Sequence, residues 1–190
     1  EEAIRSFKRA AEIDPALGMA HWGIALALGP NINLDVDPDR EKAAYESVQK
    51  ALALAAKAPE NERAYIEALA KRYSIDPKAD LKQLAVNYKN AMGEVVKRYP
   101  DDLDAATLYA EAAMDLRPWK FWTAEGKPAE GTEEIVTMLE AVLRRDPNHA
   151  GAIHYYIHAV EASPHPERAL VYAPKPVSYT HLRAHETKAN

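Results

Sequence analysis

The chain of 190 residues contains no cysteine, which excludes disulfides, thiolate metal sites and cysteine nucleophiles. It has only 7 glycines and is rich in alanine and leucine, a composition that favours helices. No apolar run approaches the roughly 18 residues that a membrane helix needs, so no membrane span is predicted. The 24 basic residues against 29 acidic ones give a net charge of -5. This balance argues against a nucleic-acid partner, which would require clustered basic residues.

Common catalytic motifs are absent as well. The sequence has no phosphate-cradling glycine loop, no glycine-flanked serine nucleophile and no His-Glu-x-x-His zinc motif. The sequence therefore favours a protein that is not an enzyme, although it leaves the question open.

The sequence has unusual features at both ends of the chain. Because the sequence begins at Glu1 within a helical pattern, we expect the natural start to be missing or processed. The compartment is then unknown, with cytoplasmic and exported locations both open. One choice of codons for residues 176–182 resembles a transposon-end sequencing adapter, and residues 176–190 lack hydrophobic periodicity. We interpret residues 176–190 as a non-structural tail of artificial origin, the alternative being a genuine flexible tail, and residues 1–175 as one domain truncated at both ends.

Apolar residues repeat at offsets of four and three ahead of a proline. The three clearest copies are Ala3, Phe7, Ala10 and Pro15; Tyr88, Met92, Val95 and Pro100; and Ile135, Leu139, Val142 and Pro147. A looser copy contains Ala44, Val48 and Ala51, followed late by Pro59. These offsets place the apolar residues on one face of a helix that ends before the proline.

A second helix is predicted after each proline, over residues 17–28, 62–73, 103–114 and 150–160. Small residues are expected at close helix contacts, at Gly23, Ala25 and Ala110. Each helix pair buries its apolar face only by stacking on its neighbours, so the pattern predicts an all-α solenoid of about four helix pairs. Ile4 and Phe7, in the first helix, are expected to be more exposed than their equivalents.

This pattern resembles the tetratricopeptide repeat (TPR) family. The resemblance is carried by Ala3, Phe7, Ala10 and Pro15 and by the pair Ile24 and Ala25, and it covers most of residues 1–170. The repeats are longer than the usual 34 residues or so, and His21 replaces an expected aromatic residue. Residues 22–31 and 154–163 also resemble a bacterial subgroup of unassigned activity. The resemblance implies a right-handed superhelix of antiparallel helix pairs that binds a protein or peptide in its concave groove.

The loop before the third helix contains Asp35, Asp37 and Asp39, followed by Glu46, which mimics the ligand spacing of a calcium loop. Arg40 stands where the sharp turn of such a loop needs glycine. We therefore favour a helix start at this point, with Asp39 as the cap.

A second loop, over residues 116–131, contains the aromatic cluster Trp119, Phe121 and Trp122 beside Arg117. These side chains could clamp a ligand through stacking, but aromatics in a long loop more often pack down as a plug, which we favour. Thr132 is predicted to cap the helix that follows.

His154, His158 and Glu161 are spaced to share one helical face, away from the apolar stripe that contains Tyr156 and Ile157. We expect the three polar side chains to be exposed on the wall of the groove. Trp22 and Glu111 are further candidates for groove contacts.

His154, His158 and Glu161 also support an alternative function. Two imidazoles one turn apart and a carboxylate could bind a divalent metal such as zinc. In that interpretation the chain is a metal-binding or metal-dependent enzyme domain, with a site completed by missing C-terminal sequence. The favoured interpretation, a scaffold, needs no cofactor.

Overall fold

The computed structural model describes residues 1–34, 37–76 and 78–172, and the proposed tail over residues 176–190 lies outside this part. The described part is all-helical and contains no β-strand, only two isolated bridges, which confirms the all-α prediction. Its eight α-helices are α1 (Glu2–Ile13), α2 (Gly18–Leu28), α3 (Pro38–Ala55), α4 (Glu60–Leu69), α5 (Leu81–Arg98), α6 (Leu103–Met114), α7 (Thr132–Arg145) and α8 (Ala150–Val160). Short 3-10 helices follow α4, at Ala70–Arg72, and α8, at Pro166–Ala169.

Helix bounds agree closely with the sequence pattern. The helices α6 and α8 cover the predicted residues 103–114 and 150–160, and α2 begins one residue later than predicted. The predicted helix over residues 62–73 is α4 together with the 3-10 helix that follows it. Among the described helices, none combines the length and apolar character needed to cross a membrane.

The chain divides into two units, Glu1–Asp101 with helices α1 to α5 and Asp102–Asn190 with helices α6 to α8. In the first unit, α2 packs against both α1 and α3. The predicted small-residue contact is present, because a Cβ atom at Gly23 would overlap the ring of Phe7. Phe7 is only half-buried whereas its equivalents Met92 and Leu139 are buried, as expected for the first helix.

The carboxyl end of α2 is covered by donors from later segments. The Tyr73 hydroxyl donates to the carbonyl oxygen of Ala25 at 2.8 Å. Arg40, in the first turn of α3, donates through Nε to the carbonyl of Leu28 at 3.1 Å and through Nη2 to that of Ala27 at 3.0 Å. The two Arg40 bonds satisfy carbonyls that have no partner within the helix and place a cation at the negative end of its dipole. The Ala25 carbonyl also accepts from the Gly29 amide at 3.2 Å, so the Tyr73 bond is its second.

The start of α3 corrects one prediction. Asp37 is the N-cap, and its carboxylate accepts hydrogen bonds from the amides of Asp39 at 2.9 Å and Arg40 at 3.0 Å. The prediction that Asp39 caps this helix is therefore wrong by two residues, because Pro38 already occupies the first helical position. Asp35, from the calcium alternative, lies outside the described residues.

In the second unit, α7 packs against α6 and α8 around a core that includes Leu139, Leu143 and Ile153.

The prediction that Thr132 caps α7 is wrong, because α7 begins one residue earlier than such a cap would require. The N-cap is Gly131, whose φ of 84° lies in the left-handed region that glycine adopts readily. Thr132 is instead the first helical residue, and its hydroxyl bonds elsewhere.

Candidate functional site

The candidate site is built on the loop between α6 and α7, which is anchored at three points. Phe121 is buried, and its carbonyl oxygen accepts hydrogen bonds from the Thr132 hydroxyl and the Ala129 amide, each at 2.8 Å. The indole nitrogen of Trp122 donates to the carbonyl of Ala159 in α8 at 2.7 Å. Phe121 and Trp122 thus pack down onto the helices, as the plug interpretation predicted, whereas Trp119 departs from it.

Arg117 closes the base of this loop. Its guanidinium forms an ion pair with the Glu130 carboxylate at 2.5 Å and also contacts the Glu130 carbonyl at 3.3 Å. Arg117 is therefore engaged in holding the two ends of the loop together.

Trp119 is presented outward by a tight turn. The amide of Lys120 donates to the carbonyl of Arg117 at 3.1 Å, with Pro118 second and Trp119 third in the turn. Trp119 has a φ of 64°, as the third position of a type II turn requires, where glycine is the usual residue. Its side chain remains 48 % exposed. A large aromatic residue is thus held at the surface in a backbone conformation that typically costs about 1–3 kcal/mol.

The structure brings the predicted polar trio together. The rings of His154 and His158 lie 4.9 Å apart between centroids, at an interplanar angle of 77°. Nδ1 of His158 lies 2.9 Å from Oε1 of Glu161. Trp119 joins this group, since its ring lies edge-on to His158 at 5.1 Å.

The expectation that all three polar side chains are exposed is wrong for His158. Its side chain is 2 % exposed, whereas His154 is half-buried and the Glu161 side chain is 40 % exposed. The physical reason is the loop, because Trp119 packs on the His158 ring and Trp122 bonds to the next residue, Ala159. This face of α8 has polar residues in the sequence, but aromatic residues of the loop between α6 and α7 cover it.

The apolar stripe of α8 predicts that both Tyr156 and Ile157 are buried. Tyr156 is buried, whereas Ile157 is only half-buried, so the prediction is wrong for Ile157. The Tyr156 hydroxyl donates to Oε1 of Glu140 at 2.7 Å, and Arg168 bonds to the same carboxylate. Burial first, and then the bond to Glu140, raises the pKa of Tyr156. Glu140 and Arg168 were missed from the sequence, where no spacing connects them with Tyr156.

His149, at the start of α8, has a capping role. Its Nδ1 accepts a hydrogen bond from the Ala152 amide at 3.2 Å, and its Nε2 lies 3.2 Å from Oδ1 of Asp104 in α6. Since Nδ1 acts as the acceptor, Nε2 carries the proton that reaches Asp104.

The remaining candidates lie elsewhere in the fold. Trp22 lies in α2 and is half-buried, and its ring is edge-on to that of Tyr65 at 5.8 Å between centroids. Its indole nitrogen is buried and has no hydrogen-bond partner among the described residues. Glu111 is in α6 and is 4 % exposed. Trp22 therefore belongs to the first unit and Glu111 to the second.

Comparison with known proteins found no matching family model, no matching curated protein and no matching solved structure. The function is therefore argued from the site itself. Across the described residues, no group of three or more His, Asp and Glu side chains is arranged to hold a metal ion. The arrangement offers an exposed indole, two adjacent imidazoles and one carboxylate.

Proposed function

We propose that the chain is a tetratricopeptide-like scaffold that binds a protein or peptide. The proposal is supported by helices that recur in pairs and by the burial of small residues where the pattern requires close contacts. Ala25 and Ala110 are both 0 % exposed. Trp22, half-buried in the first unit, is a further candidate contact residue, whereas Glu111 is 4 % exposed and therefore closed to a partner.

The observation that carries the proposal is Trp119. Binding energy at protein interfaces is concentrated in a few aromatic or arginine side chains, held rigidly and surrounded by polar groups. Trp119 has these properties, since the loop that presents it is anchored by Trp122 and Arg117. His154 and Glu161, beside it, would provide hydrogen bonds to the partner. The acidic net charge of -5 disfavours a nucleic acid in this role.

The test is a selection from a phage-displayed library of random peptides on the full chain. Recovered peptides are then titrated against the unmodified protein and against Trp119→Ala. We expect Trp119→Ala to weaken binding by tenfold or more, which corresponds to about 1.4 kcal/mol.

The matched control is Ile75→Ala, which truncates an exposed apolar side chain in the first unit. It should leave the affinity unchanged, and circular dichroism should show that both variants remain helical. Failure to recover any peptide, or equal affinities for the unmodified protein and Trp119→Ala, would count against the proposal.

A further inference from the structure

We infer that the partner is a basic peptide segment, which places an arginine side chain on the indole of Trp119 and pairs it with the carboxylate of Glu161. This inference rests on the proposed function and specifies the chemistry of the partner. Three features support it: the exposure of the Trp119 ring, the position of Glu161 beside the same histidine, and the uneven distribution of charge along the chain.

The indole of Trp119 is accessible to a ligand. Its contact with the His158 ring is nearly perpendicular, at 87° and 5.1 Å between centroids, and such a contact occupies at most one face of the indole. The residue remains 48 % exposed. The face of an indole attracts a cation within about 6 Å of the ring centroid, and arginine also stacks its planar guanidinium on aromatic rings. Trp119 therefore suits an arginine side chain.

Glu161 supplies a negative charge beside this ring. Its Oε1 lies 2.9 Å from Nδ1 of His158, the imidazole that Trp119 also contacts, so the indole and the carboxylate are neighbours across a single ring. The Glu161 side chain is 40 % exposed. A carboxylate has about four acceptor positions, so it can bond to His158 and also accept from a guanidinium. One arginine-containing segment can thus gain both a stacking contact and a charge-assisted hydrogen bond.

The second unit carries most of the negative charge. Residues 102–172 contain 12 acidic side chains and 6 basic ones, whereas residues 1–101 contain 16 acidic and 15 basic ones. Surfaces of opposite charge attract one another over long distances, which raises the rate of association and disfavours partners of like charge. This balance favours a basic segment at Trp119 over an acidic one.

Two basic side chains lie close to Trp119 in the sequence and differ in their effect. Arg117 is paired with the Glu130 carboxylate, so its charge is balanced. Lys120 follows Trp119 directly and is exposed, so its charge opposes a cationic ligand. Removing the charge of Lys120 should therefore strengthen the binding of an arginine peptide.

The experiment is an NMR titration of the full chain, followed through the indole N–H signals of its 3 tryptophans. The Trp119 signal is the one that disappears in Trp119→Phe. The probe is a short glycine-based peptide that carries two arginines. In one control peptide both arginines are replaced by citrulline, which keeps the shape and removes the charge, and in another by glutamate. We expect the arginine peptide to shift the Trp119 signal saturably, the citrulline peptide to bind at least about fivefold more weakly, and the glutamate peptide not to bind.

Matched variants locate the charge that matters. Glu161→Gln should weaken binding of the arginine peptide by about two- to fivefold. Glu167→Gln removes the same charge from a carboxylate that lies 3.1 Å from His165 instead of beside His158, and it should leave the affinity nearly unchanged. Lys120→Gln should increase the affinity by about twofold.

Salt provides an independent readout. Raising the ionic strength from about 0.1 M to about 1 M shortens the screening length from about 10 Å to about 3 Å. The affinity for the arginine peptide should therefore fall, while that for the citrulline peptide should change little.

A Trp119 signal that does not move, or that moves equally with the arginine and citrulline peptides, would overturn the inference. Equal effects of Glu161→Gln and Glu167→Gln would do the same. The phage selection keeps this outcome distinct from that of the proposed function. If Trp119-dependent peptides are recovered and lack basic residues, the scaffold proposal stands and the inference fails, whereas failure to recover any peptide counts against both.

Discussion

Trp122 and Ala159 are joined by a hydrogen bond of 2.7 Å, from the indole nitrogen to a helix carbonyl, across 37 positions of sequence. This bond fastens the aromatic loop to α8 one residue from His158. The burial of His158 and the position of Trp119 both depend on where that loop lies. The candidate site is therefore made by a loop and a helix together.

Replacing the Trp122 donor should loosen this attachment. Trp122→Phe keeps an aromatic ring but removes the hydrogen bond, so we expect the free energy of unfolding to fall by about 0.5–1.5 kcal/mol. Urea unfolding followed by circular dichroism measures the change. Trp119→Phe, at a half-exposed ring, should change stability by less than about 0.5 kcal/mol. Equal losses in the two variants would contradict the anchoring role of Trp122.

The close helix contact at Ala25 provides a second prediction. Ala25 is 0 % exposed, so Ala25→Leu forces extra methylene groups into a packed contact and should cost about 1–3 kcal/mol. Glu2→Leu, on an exposed position of α1, should change stability by less than about 0.5 kcal/mol. Thermal unfolding compares the two, and a negligible effect of Ala25→Leu would show that the repeat register is wrong.

The pH dependence of stability should contain a contribution from His21. Burial, and next the positive charge of Lys50, lower the pKa of His21 from its ordinary value of 6.5. Above pH 6.5 both the folded and the unfolded states hold a neutral imidazole. As the pH falls below 6.5, the unfolded state takes up the proton first, so stability decreases until the lower pKa of the folded state is passed.

We therefore expect His21→Gln to flatten the stability curve below pH 6.5 and to leave its shape above that pH unchanged. Urea unfolding at a series of pH values measures this difference, and Lys50→Gln should reduce the slope by a smaller amount. A curve for His21→Gln that parallels the original at all pH values would rule out this contribution.

The histidine cap of α8 provides a fourth prediction. His149→Ala removes the acceptor for the Ala152 amide and should cost about 0.5–2 kcal/mol. His149→Asn supplies another good capping oxygen and should recover most of that loss. The thermal midpoints of the two variants test the capping role, because this role requires His149→Asn to be more stable than His149→Ala. If both variants lost the same stability, the contact with Asp104 would be the important one.

The fold was predictable to the extent that its signals are local. The proline that ends each helix and the apolar spacing before it depend on neighbouring residues, so α6 and α8 were placed within the predicted bounds. The N-cap residues of the helices were harder to predict. Asp37 and Asp39 are both good caps, and the direction in which the backbone enters the helix decides between them.

The site was predictable only in part, for a related reason. Helical spacing shows that His154, His158 and Glu161 share a face, and the structure brings them together. The same spacing carries no information about what covers that face. The burial of His158 depends on Trp119, which belongs to a different segment and reaches the histidine only through tertiary packing.

The donors at the carboxyl end of α2 have a consequence for the order of folding. The carbonyl of Ala25 accepts a second hydrogen bond from a side chain 48 positions later, and those of Ala27 and Leu28 accept from Arg40, more than ten positions later. The last turn of α2 therefore gains these bonds only after α3 and the segment around Tyr73 have docked. In native-state hydrogen exchange, the amides of that turn should open together with those of α3 as one cooperative block, rather than fraying alone as an ordinary helix end does.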